Sequence, residues 1–119
     1  MNIDYTFKII NLHVIPDFNG NANIIKQVSW AIIGTYTDAD GKVYTYQHDQ
    51  ATTFKLNEEQ TFIPSDQLDA SIVQGWVEAI ENAKFRNIQW LKDNIVQVRI
   101  NDMVSLSTPK IVKPFWEQN

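Results

Sequence analysis

The chain reads as a single α+β domain: an antiparallel β-meander of three to four strands packed with two C-terminal helices and an extended, proline-containing tail. Three observations predict it. Before residue 63 apolar side chains recur at every second position, and after Pro64 they recur at helical spacing. Turn chemistry, Asn19-Gly20 and Asp38-Ala39-Asp40-Gly41, separates the alternating runs. Neither half can bury its apolar face alone. The meander (1–63), the helical hairpin (64–106) and a docking tail (107–119) therefore belong to one domain.

Composition bounds the reading further. A chain of 119 residues with 44% apolar and 20% charged residues is globular in type, and the absence of cysteine excludes disulfides and thiolate chemistry. Net charge is −4, and the ten Lys and Arg are scattered, with Lys84 and Arg86 the one close pair. That pattern opposes nucleic-acid binding. The N-terminal residues lack a basic region followed by an apolar stretch, and no window approaches a membrane span, so the expectation is a protein synthesised in the cytoplasm with no membrane partner.

The first strand places Ile3, Tyr5, Phe7 and Ile9 on one face, after which the apolar parity switches to Ile10, Leu12 and Val14. Such a switch marks a bulge or a strand buried on both faces. Pro16 and the DFNGNAN stretch are read as its end. The second strand sets Val28, Trp30, Ile32, Gly34 and Tyr36 against Ser29, Ala31, Ile33, Thr35 and Thr37, with its centre buried on both faces. The third runs from Val43 to Gln47, and a short fourth is allowed at Thr52 to Leu56.

Helix one should run from about Ala70 to Ile80. Asp69 is the cap, and Leu68 and Val73 have the spacing of a hydrophobic staple. Ile72, Val73, Trp76, Val77 and Ile80 form its apolar stripe, while Gly75 predicts close backbone packing there. After a break at Asn82 to Arg86, helix two carries Ile88, Leu91, Ile95, Val98 and Met103 at helical spacing. Trp90, Val96, Ile100 and Val104 lie off that stripe, Trp90 about 200° from Ile88. They predict either a helix buried on both sides within its own domain or, as the leading reading, a second surface that faces a partner. The tail ends in Lys113-Pro114-Phe115-Trp116, two aromatics that are expected to dock on this domain or on a neighbour.

No constellation carries chemistry. Asp38 and Asp40 have the shape of a calcium-loop fragment, but no Glu closes a twelve-residue loop, and an Asp-Gly turn accounts for them. His13 and His48 are the only histidines and lack the spacing of a zinc site. His48 and Asp49, adjacent on a strand, point to opposite faces. Glu58 with Glu59 fall in a loop, and Glu78 with Glu81 are placed on the solvent side of helix one. Tyr36, Tyr44 and Tyr46 lack the interleaved cations of a base-stacking sheet. No catalytic, metal or cofactor site is expected.

The order of several short motifs resembles a group of small bacteriophage proteins encoded among head and tail genes. The matching residues are Tyr5 to Ile9; Val28, Trp30 and Gly34; Phe62, Pro64 and Leu68; Val73, Gly75, Trp76 and Val77; then Pro114, Phe115 and Trp116. The chain departs from the group in capping with Asp69 where Thr is usual, and in a more basic, aromatic segment from Lys84 to Arg99. The resemblance implies a non-enzymatic virion protein, present in many copies, that decorates or bridges larger head or tail subunits and sister copies. The alternative is a non-structural phage protein that binds a host or phage partner in the infected cell.

Overall fold

Alternation in the first half becomes a three-stranded antiparallel sheet of β1 (Asp4–Phe18), β2 (Asn21–Thr37) and β3 (Val43–Thr53), in that spatial order. The structure, a computed structural model, describes residues 1–57, 60–107 and 111–117. Glu58, Glu59 and Pro109 lie outside the described residues.

The parity switch in β1 is a bulge. Ile9 pairs with Trp30 and Asn11 with Ser29, so Ile10 is the extra residue. A second irregularity follows: His13 pairs with Gln27 but Val14 with Ile25, leaving Lys26 extra on β2. One insertion on each strand restores the register, so Leu12 and Val14 share a face with Phe7 and Ile9. Pro16 does not end the strand. Pairing continues through Asp17↔Ala22 and Phe18↔Asn21 to a two-residue turn in which Asn19 and Gly20 both have positive φ.

β3 is longer than expected and takes in the start of the anticipated fourth strand. It pairs with β2 from Thr37↔Val43 to Gln27↔Thr53 without a register shift. The tip of the β1–β2 hairpin therefore projects beyond β3. The chain measures 76 × 28 × 20 Å, with a radius of gyration of 20.8 Å; a compact chain of this length would have about 13–14 Å.

Helices cover one face of the sheet. The Asp69 carboxylate caps α1 (Ala70–Glu81) by accepting from the Ile72 amide at 2.8 Å. Asn87 does the same for α2 (Ile88–Leu91), accepting from the Trp90 amide at 2.8 Å. A π turn over Lys92–Val96 then leads without a break into α3 (Gln97–Ser107). This turn corrects the expected helix-two stripe. A π turn holds one more residue than an α turn, which rotates everything after it by about 100°. The buried face passes from Ile88 and Leu91 to Val96 and Ile100, both 0% exposed, while Val98 turns outward at 46%.

The core joins Val28, Trp30 and Ile32 of β2 to Val73 and Val77 of α1 and to Ile88, Leu91, Val96 and Ile100. Phe7 stacks on Trp30 with ring centroids 5.3 Å apart. Close backbone packing occurs at Gly34, not Gly75. A Cβ at Gly34 would collide with Val96 Cγ1 and would stand 3.0 Å from Ile100 Cδ1, whereas one at Gly75 would meet open space.

Candidate partner-binding surface

The residues expected to face a partner separate into three environments. Val96 and Ile100 are core, because the π turn swings them onto Gly34. Trp90 and Val104 are half-buried and pack against the same core. The second face of Trp90 is occupied from within the chain by Arg86, whose guanidinium carbon stands 4.8 Å from the ring centroid. Phe115 and Trp116 are the exposed pair, at 77% and 84%.

Among the described residues, the aromatics of the tail are not buried against their own domain. Ile111 and Val112 are exposed, Phe115–Glu117 form an isolated 3-10 turn, and neither sheet nor helices make substantial contact with that turn. Together with Leu106, 89% exposed at the end of α3, the tail presents a run of large apolar side chains to solvent. Such a run is a signature of an interaction surface.

An apolar recess lies at the other end of the molecule. Ile24 and Ile25 of the hairpin, Phe54, Phe62 and Leu68 of the connecting segment, and Trp76 and Ile80 of α1 line a cavity of about 500 Å³. A second of about 430 Å³ adjoins it, sharing Asn23, Ile25 and Leu68, and is bounded by Leu12, Val14 and Val73. Phe18 reaches Phe62 edge-on with centroids 5.6 Å apart, tying the hairpin tip to this segment. The recess is not legible in the sequence, because Pro16 and the DFNGNAN stretch predict that the first strand stops short of the turn. The signal that could have found it is Ile24-Ile25, an apolar pair directly after the turn residues.

One buried polar constellation was also missed. Glu81, expected on the solvent side of α1, is 0% exposed because the helix ends beneath β3. Gln50 Nε2 donates to its Oε1 at 2.7 Å; the Thr52 hydroxyl and Lys84 Nζ each donate to its Oε2 at 2.9 Å. Thr52 in turn accepts from Trp30 Nε1 at 2.8 Å, and Gln50 Oε1 accepts from His48 Nε2 at 3.1 Å. The arrangement pins the end of α1 to β3 and β2. Both carboxylate oxygens are engaged, and neither recess includes Glu81.

The remaining candidates have local roles. Asp38 Oδ1 accepts from the amides of Asp40 and Lys42, both at 2.9 Å, so the carboxylate closes the β2–β3 turn. His13 bonds Ser29 Oγ at 3.1 Å on the surface, and Glu78 accepts from Gln74. Tyr36 and Tyr44 stack at 6.1 Å. Burial, reinforced by the charge of Asp93, pushes the Tyr5 phenol up from its ordinary value. Among the described residues no group of three or more His, Asp or Glu is gathered to hold a metal, and no helix is long and apolar enough to cross a membrane.

A family model described as "Domain of unknown function (DUF7936)" matches residues 2–114. No curated protein and no solved structure matches the chain.

Proposed function

We propose that this chain, which belongs to the DUF7936 family, is a non-enzymatic bacteriophage structural protein that bridges or decorates larger virion subunits. One observation carries the reading. Phe115 and Trp116 stand 77% and 84% exposed on a short turn, where a neighbouring subunit can cover them. Covering the pair would bury roughly 300–500 Å². The motif order shared with phage proteins supplies the phage context, and the elongated shape suits a part that reaches between larger bodies. The buried carboxylate favours a structural role, since its donors are internal and hold α1 in place.

Mass spectrometry of purified particles tests this: a virion component appears at fixed, high copy number. The substitution Phe115→Ala with Trp116→Ala should leave the melting temperature of the isolated protein unchanged and abolish its incorporation into particles. Absence of the chain from particles would transfer the reading to a non-structural phage protein acting in the infected cell.

A further inference from the structure

The two edges of the sheet are not alike. β1 carries devices that natural edges use against further pairing: Lys8, the Ile10 bulge and Pro16. β3 carries none of them, with no Lys, Arg, Pro or bulge from Val43 to Thr53. The Phe54 amide donates to the Lys26 carbonyl at 2.8 Å, which sets the phase of the ladder. Even-numbered residues of β3 turn their amides to β2, and odd-numbered residues from 43 to 53 turn theirs to the open edge. No backbone hydrogen bond from another described segment reaches those outward amides.

We propose that the β3 edge pairs with the β3 edge of a second copy, antiparallel across a two-fold axis, giving a continuous six-stranded sheet. The strand is self-complementary. Full overlap centres the axis on His48 and sets Val43 opposite Thr53, Thr45 opposite Ala51, and Gln47 opposite Asp49. The one charge in the strand then meets an amide side chain of a kind it already accepts from, since Gln47 Nε2 bonds Asp49 Oδ1 at 2.7 Å within the chain. Sliding the strands to oppose the two Asp49 carboxylates would set like charges face to face, which disfavours that register.

A second observation agrees with the same register. Ser107, at the end of α3, sits on Tyr44 with 2.6 Å between hydroxyls, and Glu81, at the end of α1, sits on Thr52 at 2.9 Å. With Tyr44 of one copy opposite Thr52 of the other, the end of α3 meets the end of the second copy's α1. Leu106, next to Ser107, and Phe85, four residues beyond Glu81, are 89% and 88% exposed in the single chain. Pairing brings them towards each other on both sides of the axis, as an isologous contact requires.

Analytical ultracentrifugation of the full chain at micromolar concentration should show twice 13.8 kDa. His48→Cys gives the register test. Residue 48 faces its own copy in a non-hydrogen-bonded pair with Cα atoms about 4.5 Å apart, within the disulfide range of about 4.4–6.8 Å. The chain has no other cysteine, so oxidation should yield a covalent dimer, and Tyr46→Cys should not. Ala51→Pro removes an outward amide while sparing the bonds to β2, and should weaken association at least tenfold with unchanged circular dichroism. A monomer at all concentrations overturns the proposal, as does a dimer indifferent to Ala51→Pro. Should Ala51→Pro fail to fold, the cysteine pair decides alone: crosslinking at 48 but not at 46 supports the edge, and any other pattern overturns it.

Discussion

Gly34→Ala is the sharpest test of how the helices sit on the sheet. The added methyl would collide with Val96 Cγ1 and stand 3.0 Å from Ile100 Cδ1 and 3.1 Å from Ile3 Cγ2. Val96 and Ile100 are fully buried and Ile3 partly so, leaving little room to yield, and overpacking of this kind costs about 1–3 kcal/mol. Gly34 does not have positive φ, so the substitution carries no backbone strain and loses less chain entropy on folding, an offset of about 0.4–1 kcal/mol. The net expectation is a loss of about 1–2 kcal/mol. Val96→Ala should itself cost about 2–3 kcal/mol by opening a cavity. In that background the collision is gone and Ile100 and Ile3 need give only slightly, so Gly34→Ala should cost little or nothing, a coupling of about 1–2 kcal/mol. Urea denaturation followed by tryptophan fluorescence, at one fixed protein concentration, reads all four corners of the cycle. Equal costs in the two backgrounds would refute the close approach of the π turn to Gly34.

Two further substitutions probe the remaining supports. Glu81→Ala leaves the Thr52 hydroxyl and the Gln50 amide without their acceptor and opens a cavity, while Lys84, half exposed, can re-solvate; denaturation should show a loss of about 2–4 kcal/mol, and Glu81→Gln less than half of it. Gly75→Ala places a methyl in open space on α1 and should raise stability by about 0.5–1 kcal/mol, measured in the same way.

The local devices were legible because each depends on near neighbours in the chain. Asn19-Gly20 specifies a two-residue turn through the positive φ both residues accept, and the change of apolar parity at Ile10 is the bulge itself. Asp69 announced the start of α1 by the hydrogen bond it makes three residues on. The α+β class followed from the change of period at Pro64. What tertiary structure alone decided is which faces those elements present. The π turn at Lys92–Val96 shows in the sequence only as apolar residues off the stripe, a pattern a partner-facing surface would also give; by adding one residue to a turn it made Val96 and Ile100 core, packed on Gly34. Glu81 reads as surface until the donors of β3, some thirty residues away in the chain, are brought beneath it. The tail's aromatics read as buried because large apolar side chains usually are. In the folded chain both stand exposed, because the core is filled by side chains from β2 and the helices.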